Sequence, residues 1–304
     1  MINEMADTAR LAARTLSAAT GAERSAALNA IADAVLARSA EILAANEEDM
    51  VRARAAKIND SLMDRLLLTP ARIEGIAKSA REVSKLPDPL GITLRHSTLP
   101  NGIDLQQITV PFGVIGMVYE ARPNVTIDAA AILLMSGNAA LLRGSSSAAS
   151  SNQILVTVIR DALKTTKISP EVVQLVPSGD RETVTALLNA RGKVDLVIPR
   201  GSASLIRAVV DESRVPTIET GAGVCHVYVD EFADLSKAVP IIINSKTQRP
   251  SVCNAAETLL LHESIAKDFA PIALKALHDA GVVLHGDART LELAGSIPIT
   301  LANE

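Results

Sequence analysis

The sequence predicts an α/β fold, with a parallel sheet covered by helices on both faces. Three observations predict it. From Val110 onward, short apolar runs alternate with helical stretches, the pattern of strand and crossover helix. Aromatic residues make up only 2% of the 304 residues and there is no Trp, so the core must be aliphatic and Ala-rich. Several of the apolar runs end in Gly, Ser and Arg just before a helix begins, at the strand ends where such sheets bind ligands.

Residues 1–90 read as helices. Leu28, Ile31, Ala32, Val35 and Leu36 recur at intervals of three and four, the spacing of one helix face. Thr20-Gly21-Ala22-Glu23 is a capping-box pattern, and Thr69-Pro70 places an N-cap before a proline at the first helical position. The charged residues of this region read as solvated helix faces. Pro87 and Pro89 end the helices. The period then changes over Ile92–Val110, where Leu99-Pro100-Asn101-Gly102-Ile103 sets Asn-Gly between two extended runs and predicts a hairpin. A lone two-stranded ribbon is marginal in water, so it should pair with another subunit or a distant part of the chain.

Strands are then expected at Val114–Tyr119, Ala139–Arg143, Val172–Val176, Val194–Pro199, Val215–Ile218, Val224–Val229, Thr258–Leu261 and Val282–His285. Helices are expected at Thr126–Ser136, Ser150–Lys164, Glu182–Ala190, Ser204–Val210, Leu235–Lys246 and Ser264–Ala280. Pro240 lies near the start of one of these, which should begin late or bend.

Composition removes several function classes. Formal net charge is −4 with both signs mixed, and aromatic platforms are scarce, so nucleic-acid binding is not expected. No apolar run approaches bilayer length, and Met1–Asp7 has no cationic region leading into an apolar one. Cys225 and Cys253 have neither CxxC spacing nor a His pair, so no metal site is expected. These features predict a cytoplasmic protein with reduced thiols.

The chemistry concentrates at strand ends. The standard dinucleotide fingerprint and the P-loop are both absent. Arg143-Gly144-Ser145, Pro177-Ser178-Gly179-Asp180 and Pro199-Arg200-Gly201-Ser202 each precede a helix, whose N-terminus favours anions. Any one of them fits a plain turn and cap; three in succession point to a phosphate-bearing cofactor. Asn124 follows a buried strand and either caps the next helix or donates to an oxyanion. Glu219 is a strand-end carboxylate in water, a general base or a cofactor contact. Cys253, beside Arg249, is a buried small residue or a nucleophile. Cys225 fits the buried reading.

Taken together, these residues resemble one family. The stretch from Val110 to Thr126, containing Tyr119-Glu120-Ala121-Arg122-Pro123-Asn124, is similar to the signature of the gamma-glutamyl phosphate reductases. So are Ile218-Glu219-Thr220-Gly221, Cys225-His226-Val227-Tyr228-Val229-Asp230, and the segment Lys246–Glu257 around Cys253. That family is a branch of the aldehyde dehydrogenase superfamily.

The resemblance implies an aldehyde dehydrogenase-like fold: a Rossmann-like NADP-binding domain over residues 1–240, carrying a β-ribbon oligomerisation arm at 91–110, and the N-terminal part of a catalytic domain over 241–304. It implies NADPH-dependent reduction of L-glutamate 5-phosphate to L-glutamate 5-semialdehyde and phosphate, the second step of proline biosynthesis, by a homo-oligomer. Cys253, Asn124 and Glu219 would be catalytic. Arg143, Ser145, Ser178, Gly179, Gly201, Ser202 and Gly221 would hold the cofactor. The family pattern continues beyond residue 304, so the chain is expected to be a C-terminally truncated member. The alternative is an inactive or binding-only one.

Overall fold

A computed structural model describes residues 1–302 apart from Ala121, Asp180, Thr220, Gly221, Ala222, Ser251 and Cys253, and leaves the side chain of Ser61 undescribed. The chain forms two compact units, Met1–Gly221 and Ala222–Glu304.

The first unit opens with five helices: α1 (Ile2–Ala18), α2 (Gly21–Ala37), α3 (Ser39–Ala55), α4 (Asp60–Leu66) and α5 (Pro70–Val83). Both expected caps form. The Thr20 Oγ1 accepts from the Glu23 N–H at 3.2 Å while the Glu23 carboxylate accepts from the Thr20 N–H at 2.9 Å. Thr69 Oγ1 accepts from the Arg72 N–H at 3.2 Å, with Pro70 in the first turn. The charged residues are not all on solvated faces, however. Asp49 is fully buried, and its carboxylate accepts from the Ser150 and Ser151 N–H groups at 3.1 and 2.8 Å. It thereby satisfies orphan donors at the start of a later helix. Arg24, also buried, is held by Asp88 at 2.6 Å.

The ribbon β1 (Thr93–Thr98) and β2 (Asp104–Ile108) is antiparallel and exposed along its whole length. Its turn follows from sequence. The Gly102 N–H donates to the Leu99 carbonyl at 2.8 Å, with Pro100 at the second turn position and Gly102 at φ +85°, a conformation that favours glycine.

Four parallel strands follow: β3 (Val114–Tyr119), β4 (Ala139–Arg143), β5 (Val173–Leu175) and β6 (Leu196–Arg200), in spatial order β5-β4-β3-β6. The connecting helices are α6 (Asn124–Met135), α7 (Ala149–Leu163) and α8 (Arg181–Leu188), with α9 (Ala203–Glu212) after β6. Helices α6 and α7 pack against each other and against α2, while α1 lies against β4 and α8. The sheet is thus covered on both faces, and Ala139 to Leu142 are completely buried. The expected strand at 215–218 is only one parallel bridge, Thr217 to Val197, beside β6. Pro216 has no N–H to extend that ladder.

The second unit contains β7 (His226–Val229), α10 (Leu235–Thr247), β8 (Thr258–Leu261), α11 (Glu263–Asp279), β9 (His285–Gly286), α12 (Ala288–Leu293) and β10 (Thr300–Leu301). Strands β7 and β8 pair in parallel, as do β9 and β10. Helix α10 begins at Leu235, where it is expected, is capped by Asp234 and contains Pro240. One expectation is corrected here. The expected strand 282–285 reduces to His285–Gly286, and Val283 is exposed. The core of this unit gathers around Phe269, Leu274 and Leu277 of α11, with Val229 and Ile242.

Candidate active site

Parallel strands put all their carboxyl ends on one edge, and that edge collects the expected residues of the first unit. Going across it, Ser178 and Gly179 follow β5, Arg143 ends β4, Asn124 follows β3, and Gly201 and Ser202 follow β6. Glu219 follows the single bridge beside β6 and is exposed. The chain reverses direction across the sheet between β3 and β6, the topological switch point where open α/β sheets bind ligands. Cys253 and Gly221 lie outside the described residues.

At the switch point the two loops touch. The Glu120 carboxylate accepts from the Ser202 N–H at 2.9 Å and from the Ser202 hydroxyl at 2.7 Å. The Ser202 Oγ also caps α9, accepting from the Leu205 N–H at 3.3 Å. Gly201 is needed for this approach, because a Cβ there would sit 2.7 Å from the Glu120 carboxyl carbon. An anion therefore already rests on the N-terminus of α9, so these residues fit a group that brings phosphate oxygens to that end.

Next to it, Ser145 caps a single tight turn, its Oγ accepting from the Ser147 N–H at 3.2 Å. Arg143 is half-buried at the end of β4. Gly144 is pressed against Asn152 and Tyr119, leaving no room for a side chain. Beneath it runs a buried chain of hydrogen bonds. The Thr126 hydroxyl donates to Asn152 Oδ1 at 2.9 Å, which leaves Tyr119 to donate to Thr126 at 2.7 Å. Burial pushes the Tyr119 phenol up to about 12. Around Gly179 the space is open, so no crowding requires glycine there.

Asn124 opens α6, half-buried, and its Nδ2 donates to Asp128 Oδ2 at 2.9 Å. Burial raises the Asp128 carboxyl above its ordinary range, against the pull of hydrogen bonds from Asn124 and Ser79. In the sequence Glu120 stands only within the Tyr119–Asn124 motif, and Asp128 belongs to none of the candidate groups. The signal for Asp128 was present, since it lies four residues beyond Asn124 on an expected helix. For the contact between Glu120 and Ser202 there was no local signal. Among the described residues no group of His, Cys, Asp and Glu is arranged to hold a metal, and no helix is long and apolar enough to cross a membrane.

Comparison with known proteins agrees with this architecture. Residues 1–290 match the model of the aldehyde dehydrogenase family. A gamma-glutamyl phosphate reductase from Thermobifida fusca is 55% identical over 296 residues, which are 97% of this chain and 71% of that relative. Its counterpart from Kineococcus radiotolerans is 54% identical over 94% of this chain and 66% of its own length. The crystal structure of a gamma-glutamyl phosphate reductase from Thermotoga maritima superposes with a TM-score of 0.89 at 43% identity, covering 99% of this chain and 72% of the other. The chain therefore belongs to the aldehyde dehydrogenase family of nicotinamide-dependent oxidoreductases, and within it to the gamma-glutamyl phosphate reductases.

Proposed function

We propose that this chain catalyses the NADPH-dependent reduction of L-glutamate 5-phosphate to L-glutamate 5-semialdehyde and phosphate, the second step of proline biosynthesis. The observation that carries this reading is the 55% identity with a gamma-glutamyl phosphate reductase across 97% of the chain. The strand-end geometry supports it.

In this reading the Cys253 thiolate attacks the acyl carbon, and Asn124 donates a hydrogen bond to the oxygen that becomes negative. The carbon–oxygen bond to phosphate breaks, phosphate leaves with the electron pair, and a thioester remains on Cys253. Bound NADPH supplies the hydride that takes the acyl group to the aldehyde level. The carbon–sulfur bond then breaks and the Cys253 thiolate is restored. Glu219, an exposed carboxylate at the same sheet edge, is the third catalytic residue, able to act as a base. Arg143 and Ser145 would hold the ribose side of the cofactor, Gly201 and Ser202 its pyrophosphate, and Ser178, Gly179 and Gly221 would line the same edge. Glu120 must leave the N-terminus of α9 for phosphate oxygens to reach it.

Residues 1–240 then form the NADP-binding domain and 241–304 the start of the catalytic domain, in a cytoplasmic homo-oligomer joined through the ribbon at 91–110. The ribbon's exposed Leu94, Leu105 and Ile108 suit such a contact. A second reading is an inactive or binding-only member; the chain spans 71% and 66% of the lengths of the two curated relatives.

The reverse reaction separates the two. With glutamate semialdehyde, phosphate and NADP, the chain should form NADPH, and Cys253→Ser should abolish it. A rate no higher than that of the Ser variant would overturn the proposal in favour of the second reading. Equal or better turnover with CoA in place of phosphate would overturn the assigned substrate.

A further inference from the structure

Asn124 is a useful oxyanion donor only if its side-chain amide presents nitrogen and not oxygen. The two ends of an amide have almost the same shape, and half a turn about the last torsion exchanges them. Something must choose between them.

We propose that Asp128 is a positioning residue that makes this choice, fixing the Asn124 amide with its N–H groups as the face offered to substrate. The inference rests on the reading of Asn124 given above. The two residues lie one helical turn apart on α6, so their side chains share a face. Asp128 Oδ2 takes one proton of Asn124 Nδ2 at 2.9 Å. The other carboxylate oxygen, Oδ1, accepts from the Ser79 hydroxyl of α5 at 3.2 Å, which pins the carboxylate from a second helix. An ionised carboxylate can only accept. Turning the amide over would set Asn124 Oδ1 against Asp128 Oδ2, two acceptors in contact at a half-buried site. The observed orientation commits one Nδ2 proton to Asp128 and leaves the second to donate elsewhere. Asn124 is the first residue of α6, the end of a helix dipole that favours negative charge. Removal of Asp128 would leave the backbone of α6 in place and free the amide to turn.

Two readouts test this on the whole chain. The first is nuclear magnetic resonance of the Asn124 side-chain NH2 group, assigned by its disappearance in Asn124→Ala. Asp128→Leu, which fills the space without an acceptor, should move that signal and speed its proton exchange with water. Asp128→Asn, which keeps one accepting oxygen, should restore it in part. Backbone signals away from α6 should stay unchanged, which shows that the variants fold. The second readout is turnover. Asp128→Leu should lower kcat by about tenfold to a hundredfold with little change in KM, less than the ~10²–10³ lost when an oxyanion donor is removed outright. In an Asn124→Ala background the same substitution should cost nothing further. An Asn124 NH2 signal indifferent to Asp128→Leu would overturn the proposal, as would losses that multiply in the double variant. If the unsubstituted chain shows no turnover, the assigned function fails and the NH2 signal alone decides the role of Asp128.

Discussion

In the first unit, β3 and β4 lie between layers of helices, and Ala139, Ala140, Leu141 and Leu142 have no exposed surface. In the second, β7 alternates: His226 and Tyr228 face outward while Val227 and Val229 turn toward α11. Strand β8, its one strand neighbour among the described residues, leaves Leu260 45% exposed. The difference is one of period. A strand covered on both faces reads as a continuous apolar run, and a strand covered on one face reads as alternation. The first unit therefore stabilises its sheet from both sides. The second gathers its core on α11 and α10, and Tyr228 and Leu260 of its strands stay exposed.

The comparison can be tested substitution by substitution. The chain has two tyrosines and no Trp, and Tyr119 and Tyr228 lie in different units, so each reports on one of them. The largest effect is expected from Phe269→Ala, which empties the centre of the second core and should cost about 3–5 kcal/mol. Denaturant unfolding followed by Tyr228 emission in a Tyr119→Phe background should show an earlier midpoint. The same substitution followed by Tyr119 in a Tyr228→Phe background should leave the midpoint in place. Equal shifts in both would show that the units unfold as one.

Next in size, Leu141→Ala should cost about 2–5 kcal/mol, whereas Leu260→Ala on the open face of β8 should cost under about 0.5 kcal/mol. Equal costs, measured by urea unfolding, would mean that the open face is covered in solution. A third effect depends on pH. Burial raises the Tyr119 phenol from 10.0 to about 12, so the folded state holds its proton more tightly than the unfolded chain. Its contribution is fully present below pH 10 and is lost as pH rises through 12, a drop on the order of 2–3 kcal/mol. Tyr119→Phe should remove that alkaline drop from the first unit, and a drop that persists would assign it to other groups.

The smallest effect is at Glu23, whose carboxyl is held down to about 2, first by the Lys167 hydrogen bond and then by those from Thr20. Its pKa is depressed, so its contribution is present above about 4.5 and is lost as pH falls toward 2. Because the site is exposed, the change should be slight. Glu23→Gln should flatten the acid side of the melting curve by a small amount. An unaltered acid limb would show the interaction to be fully screened.

Much of the scaffold was legible because its signals are local. Thr20 and Glu23, Thr69 and Pro70, and Asn101 and Gly102 each act on backbone within four residues, so their spacing alone sets the turn or cap. The strand ends carrying Asn124, Arg143, Ser145, Ser178 and Gly201 were legible for the same reason. Asp49 was not: its carboxylate reads as a solvated helix charge until the start of α7 is brought against it. The strand at 282–285 is shorter than its apolar run because, among the described residues, His285 alone of that run joins a ladder, opposite Thr300.

The sequence by itself determined which segments become helix or strand in the first unit, apart from 215–218, where the turns fall, and the family to which the chain belongs, because periodicity, caps and motifs are properties of neighbouring residues. Only the tertiary structure decided the strand order β5-β4-β3-β6, and with it the meeting of Glu120 and Ser202 across 82 positions of sequence. It also decided the burial of Asp49 and the grip of Asp128, pinned by Ser79, on the Asn124 amide. Those contacts depend on which surfaces are packed together when water is excluded, and no local spacing encodes that.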